Sequence, residues 1–293
     1  MQRLLRRPAR AALLLLGAFA LALIAQAASA ARIGVLSNKN FAETANDFQA
    51  KIPGHTFTGI DVGAGPPPLS TLTTQYDALL LFEDGTFAQA PAVGTVVAQF
   101  AKTGRPVVLG TFYDQDRSDA PPGNGPHGWG DLETIDPNTT DGVGTAYAPR
   151  SLGSVVPHVL TAGVTTLTSA KFAGGNQAKP GTVVVATWAQ NNVKGNPDPV
   201  VAYRVTGLAC VIHVAIAPDY PEVGVQGVDF GGDFYQLWSN AFDFAAERCA
   251  TGAPPVSGAV PIPALSAPVL ALMAGLLLGF ALLDLSRRPR RAR

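Results

Sequence analysis

Apolar and polar positions fall in blocks along the chain, and the blocks differ in length and period. Arg32-Ile33-Gly34-Val35-Leu36, Asp77–Phe82 and Val107–Gly110 hold short, nearly continuous apolar runs. That is the form of strands covered on both faces of a parallel sheet. Between them, Asn40–Ala50 places Phe41, Ala45 and Phe48 at helical spacing with Asn40 in the capping position. Ala92–Thr103 carries Val93, Val96, Val97 and Phe100 on one stripe, and Gly104 ends it. His55–Ile60 is a further strand. Thr182–Trp188 and Val200–Val205 read as a hairpin-like pair around the loop Asn191–Asp198, and Cys210–Ile216 as another strand. Phe234–Arg248 closes the domain as a helix capped by Asp233, with Leu237, Ala241, Phe244 and Ala245 on one side. This order predicts an α/β fold, a parallel sheet flanked by helices. Residues 113–180 break the rhythm with Gly, Pro, Asp, Asn and Thr, and only Leu152–Leu160 and Val164–Leu167 keep an ordered pattern. A long irregular insertion with a small structure of its own is expected there.

The two ends follow another logic. Arg3, Arg6, Arg7 and Arg10 precede the apolar run Ala11–Ala25, and Ala28-Ser29-Ala30 fits the small-residue cleavage rule. Residues 1–30 therefore read as a secretory signal peptide, with an uncleaved anchor as the alternative. From Cys249 to Leu283 there is no charged residue. Ala264–Leu283, about 30 Å long as a helix, matches the hydrocarbon thickness of a bilayer. Arg287, Arg288, Arg290, Arg291 and Arg293 then retain the tail on the cytoplasmic side. The expected organisation is a signal peptide (1–30), an ectodomain (31–250), a Pro/Gly/Ala linker (251–263), one transmembrane helix (264–285) and a basic tail (286–293). Such a chain is exported across the inner membrane, with a periplasmic ectodomain and signal peptidase as a processing partner.

Charge sharpens that picture. The chain is neutral as a whole, but residues 31–253 hold 12 bases against 20 acids, a net of −8. An acidic domain has no electrostatic grip on a phosphate backbone, so nucleic acid is excluded as a partner.

Ile262-Pro263-Ala264-Leu265-Ser266, the apolar span and the terminal Arg cluster, in that order, resemble the IPTL-type C-terminal sorting signals read by exosortase-type transpeptidases. The sequence departs from that opening at Ala264, and Ala267-Pro268 replaces the Glu-Trp that commonly follows. The resemblance implies a bacterial protein whose tail is recognised by such an enzyme and whose ectodomain is passed to the cell surface. The alternative is a plain single-pass anchor.

The ectodomain has its own resemblance. Tyr76–Leu81, Gly104–Gly110, His158–Val164 and Leu237–Phe242 are similar to segments of the class I glutamine amidotransferase-like superfamily, including its trehalose-utilisation-type branch. That likeness implies a flavodoxin-like, amidotransferase-like domain. Catalytic members carry a nucleophilic Cys on the turn after the strand that ends here at Gly110. This chain has Phe112 at the corresponding position, and no His-Pro-Glu follows. The resemblance thus implies the fold without its reaction, and no catalytic residue is assigned from it.

Little other chemistry stands out. Cys210 and Cys249 are the only cysteines and lie in no metal-ligand spacing. In an oxidising compartment they read as a disulfide, with two buried free thiols as the alternative. No phosphate loop or Gly-x-Ser-x-Gly elbow is present, and no cofactor or metal is expected. Glu83 and Asp84 end one strand, while Tyr113, Asp114 and Asp116 follow the next. Ligands of open parallel sheets bind at that edge, so these five form a candidate ligand crevice, although acids at strand ends are also ordinary solvated residues. His213 reads as a hydrogen-bonded core residue, and Trp129 with His127 as a sugar-stacking surface or a loop packed by its own aromatic. Two functions remain in view. One is a non-catalytic module binding a saccharide or another surface or matrix component. The other is an exported hydrolase acting on glycans through the acidic edge.

Overall fold

A computed structural model of the chain describes residues 30–85, 87–121, 127–142, 149–169, 173–219, 230–247 and 249. The signal segment, linker, sorting motif, membrane span and Arg tail expected from the sequence lie outside these residues. Among the described residues, no helix is long and apolar enough to cross a membrane.

The elements run β1 (Arg32–Ser37), α1 (Phe41–Lys51), β2 (Thr56–Asp61), α2 (Leu69–Gln75), β3 (Ala78–Leu81), α3 (Ala90–Lys102) and β4 (Val107–Gly110). Two 3-10 turns follow, Tyr113–Asp116 and Gly130–Thr134, then β5 (Asn138–Thr140), β6 (Arg150–Val155), β7 (Leu167–Ser169) and β8 (Asn176–Ala178). The described elements close with β9 (Val183–Trp188), β10 (Pro199–Thr206), β11 (Ala209–Val214), β12 (Phe230–Gly232) and α4 (Phe234–Glu247).

One ten-stranded sheet has the order β12-β7-β6-β9-β10-β11-β4-β3-β1-β2. Its β2-β1-β3-β4-β11 half is parallel throughout. With β11 as fifth parallel strand this is the doubly wound order 2-1-3-4-5, whose direction switches between β1 and β3. The βα rhythm of the sequence is this half. The other half is antiparallel, through β10, β9, β6, β7 and β12. The insertion is divided rather than self-contained: β5 and β8 pair in a separate two-stranded sheet, while β6 and β7 extend the main one.

Alternation along the parallel strands sends side chains to two cores. Ile33, Val35, Leu80, Phe82, Ile212 and Val214 meet Phe48 of α1 and Leu237, Trp238 and Phe242 of α4. On the opposite face Leu36, Leu79, Leu81, Val107 and Leu109 meet Leu72 of α2 and Val93, Val97 and Phe100 of α3. Burial on both faces is why these strands read as unbroken apolar runs; each such side chain contributes roughly 1.5–3 kcal/mol. Gly94 on α3 allows the insertion to close over the second core, since a Cβ there would stand 1.9 Å from the Trp129 carbonyl oxygen.

One local expectation changes, and the cysteine pairing stands. Asp233 does not cap α4 with its side chain: the carboxylate accepts the Thr165 and Thr166 amides at 2.7 and 2.9 Å, and only its carbonyl takes the Leu237 N–H. The long-range partner wins because it fastens a loop to the helix start. Cys210 of β11 and Cys249 beyond α4 form a disulfide with Cα atoms 5.5 Å apart. Closing a loop of that length contributes about 3–4 kcal/mol on a chain-entropy estimate.

Candidate functional site

The carboxyl ends of β1, β3, β4 and β11 converge at the topological switch point. Asn40 follows β1 with φ of 54°, and its carbonyl accepts the Thr44 N–H at 2.9 Å. Its amide, expected to cap α1, makes no capping bond. Instead Nδ2 donates to Asp84 Oδ2 at 2.9 Å and Asp219 Oδ2 at 3.0 Å. Asn38 steadies the same loop, accepting the Asp84 N–H at 3.0 Å. One amide therefore holds two carboxylates that leave β3 and β11.

Behind them lies a second acid pair. Glu83 is buried, and its carbonyl accepts the Phe112 N–H at 3.1 Å. Burial pushes its carboxyl up to about 11, with the nearby Asp116 charge adding to the effect. At neutral pH Glu83 is therefore the protonated member facing Asp116. Asp116 accepts the Phe87 N–H at 3.2 Å and is itself raised by burial. Burial and the neighbouring Asp84 charge bring Asp219 up to about 7, opposed by the Asn40 hydrogen bond. Glu83 Oε2, Thr111 Oγ1 and Asp219 Oδ1 are buried oxygens with no hydrogen-bond partner among the described residues.

Tyr113 and Asp114, grouped with this edge in the sequence, sit elsewhere. Tyr113 is buried, stacks on Trp129 with centroids 5.1 Å apart, and donates to Asp136 Oδ2 at 2.8 Å. Trp129 is fully buried, so it packs its loop and offers no sugar-stacking face. Asp114 enters a polar plug between sheet and insertion. The Asn176 amide, oriented to satisfy both groups, donates to both its oxygens at 3.0 Å, and His213 Nε2 lies 3.6 Å away. His213, held at Nδ1 by Asn138 at 2.8 Å, is lowered by burial to about 4, so the plug keeps a neutral imidazole. Burial raises Asp114 to about 7, opposed by the Arg117 charge. Asp198 completes the plug, accepting the Gly175 N–H at 2.7 Å and pairing with Arg150 at 3.0 Å. Asp136 is bound by Arg117 and Lys179.

The crevice therefore joins Glu83, Asp84 and Asp116 with Asn40 and Asp219, two residues absent from the sequence-based set. The strand-end rule that selected Glu83 and Asp84 applies equally to Asp219, five residues past β11. No metal-binding group of three or more His, Cys, Asp or Glu occurs among the described residues. Phe112, on the turn after β4 where the sequence resemblance would place a nucleophile, packs into the first core. The arrangement can accept hydrogen bonds from hydroxyl or amino groups and can exchange a proton at Asp219. It holds no thiol for acyl transfer.

These features define a doubly wound α/β domain with a cluster of acidic side chains at its switch point, where ligands of such sheets bind. No family model matches the sequence, and no curated protein does. Among solved structures, the chain is similar to the cytoplasmic protein STM1381 of Salmonella typhimurium LT2, at 13% identity and TM-score 0.50, covering 74% of this chain and 100% of that one. A β-galactosidase from Bacillus circulans is similar at 12% identity and TM-score 0.49, covering 78% of this chain and 32% of that one. A glutamine amidotransferase from Thermotoga maritima is similar at 12% identity and TM-score 0.39, over 63% of this chain and 74% of that one. At 13% identity the likeness to the first of these is one of fold alone.

Proposed function

We propose that the chain is an exported, surface-directed bacterial protein whose amidotransferase-like domain binds a saccharide or related polyol of the cell surface or matrix without transferring amide nitrogen. The supporting observation is the switch-point crevice: Asn40 spans Asp84 and Asp219, while the nucleophile position is filled by a buried Phe112. Carboxylates and amides in a half-buried crevice are suited to sugar hydroxyls, which donate and accept at once. Export follows from the signal segment, the linker, the apolar span and the Arg cluster, with signal peptidase and an exosortase-type enzyme as the processing partners. Intact mass of the membrane and medium forms tests the route: loss of residues beyond Pro263 fits sorting, and their retention fits a plain anchor.

Binding is tested on the full chain in detergent by glycan array and calorimetry. Asp84→Asn is expected to weaken any glycan found by roughly tenfold, the scale of one charge-assisted hydrogen bond. Unchanged affinity in both Asp84→Asn and Asn40→Ala removes the crevice from the account.

One observation favours a second reading. An acid held at about 7 next to another carboxylate, as Asp219 is beside Asp84, has the proton affinity of a general acid. Glycan hydrolysis that vanishes in both Asp219→Asn and Asp84→Asn, with a pH profile governed by Asp219, would make the domain a hydrolase.

A further inference from the structure

Among the described residues six large apolar side chains are exposed, and five of them crowd one end of four neighbouring strands. Val155 and Val156 end β6, Val183 begins β9, Val205 lies near the end of β10, and Leu208, 72% exposed, sits in the β10–β11 turn. Val183 pairs with Tyr203, and Val205 lies two residues further along the same strand, opposite Cys210. Period-two alternation puts Val183 and Val205 on one face, the face that α4 covers.

That end is also where the ectodomain stops. Cys210 is bonded to Cys249, so the disulfide pins the outgoing chain beside Val205. The sequence beyond has no charge until Asp284. The stretches Ser154–His158, Gly181–Val183 and Val205–Leu208 contain no Lys, Arg, Asp or Glu. A domain of net charge −8 is repelled by anionic lipid through its acidic faces. These stretches carry no acid to repel it, and the exposed Glu247, two residues before Cys249, marks their border.

We infer that the valine edge is the surface on which the domain rests against the headgroup–acyl boundary of its own membrane. The inference depends on the anchor reading above. Residues 250–263 span at most roughly 50 Å when extended, so the tether keeps the edge at high effective lipid concentration. An aliphatic patch too small to hold a free protein is then sufficient. The consequence is orientation: the switch-point crevice, at the opposite ends of the parallel strands, faces away from the bilayer.

The test uses the full chain in vesicles of phosphatidylcholine with a minority of phosphatidylglycerol, with and without brominated phosphatidylcholine. Trp129, Trp188 and Trp238 are all buried, so a tryptophan added by Leu208→Trp reports on its own surroundings. Val193→Trp is the control, because Val193 is 61% exposed in the β9–β10 loop at the other end of the sheet. Expected are a blue-shifted emission for Leu208→Trp, quenched about twofold by brominated lipid, and no quenching for Val193→Trp. Equal quenching of the two, or none at Leu208→Trp in protein that co-floats with vesicles, overturns the inference and leaves the anchor standing. Failure to co-float overturns the anchor, and the inference with it. A blue shift in lipid-free detergent that grows with protein concentration assigns the edge to a second copy and overturns the lipid reading.

Discussion

Asp114 and Asp116 leave one 3-10 turn on different sides, Asp114 into the plug between sheet and insertion, Asp116 toward the open end of β3. Burial raises the proton affinity of both. The regions differ in how their charge is answered. In the plug Asp114 meets Asn176, Asp198 meets Arg150, and Asp136 meets Tyr113, Arg117 and Lys179. In the crevice Glu83 and Asp219 each keep an oxygen with no hydrogen-bond partner among the described residues, and a single amide holds Asp84 and Asp219 together. The contrast is one of carboxylates, since Asn138 Oδ1, Arg150 Nε and His213 Nε2 of the plug also lack a hydrogen-bond partner among the described residues. Carboxylate oxygens left unmet at a sheet edge are available to something else.

The largest expected effect tests the plug. Asp136→Ala leaves Arg117 and Lys179 without their shared carboxylate; removing one side of a buried ion pair costs about 3–5 kcal/mol, and because Arg117 keeps Asp119 and Glu133 the loss falls at the lower end. Urea denaturation should show that loss. A change below about 1 kcal/mol, the scale of a surface pair, would erase the distinction between the two regions. Tyr113→Phe removes only a hydroxyl donated to the same carboxylate and should cost about 1 kcal/mol. Neither change should alter ligand affinity in the crevice.

The next effect separates the regions by pH. Asp219 has a folded-state pKa raised to about 7, above its unfolded value, so the native state binds the extra proton. Its contribution to stability is therefore fully present below about pH 4 and is lost as pH rises to about 7. Asp219→Asn removes the ionisation, and the gap between variant and wild type should move in the variant's favour across that window, by roughly 1–2 kcal/mol after allowance for solvent. Thermal melts at pH 4 and 8 measure it. A constant gap would show that Asp219 is an ordinary solvated carboxylate.

The parallel half was legible because its strands are buried on both faces and its helices carry clear stripes. The antiparallel half was less so: β7 and β12 are three residues each, and β6 is largely half-exposed or exposed. Strands so short acquire their identity from pairing, which local pattern does not contain. The misplacement of Asp114 has a geometric cause. At three residues per turn, side chains two apart on a 3-10 turn diverge by about 120°, so neighbours in sequence part company. Asn40 was assigned as a cap by a local rule, but its partner Asp219 lies 179 residues away. Only the closure of β11 beside β4 brings the two together.

The smallest effect on stability is the most informative about Asn40. At φ 54°, glycine suits the backbone as well as asparagine does, so Asn40→Gly removes the amide without straining the turn. Stability should change by no more than about 0.5 kcal/mol, because glycine also serves adequately at a helix start. The two carboxylates, however, lose the donor between them, and the hydrogen bond that lowers Asp219's proton affinity disappears. The Asp219 titration, followed by carboxyl NMR, should move to higher pH in Asn40→Gly, and affinity for any glycan bound at Asp84 should fall. Were the titration unmoved while stability dropped, Asn40 would be a helix residue after all, and the crevice would lose its organising group.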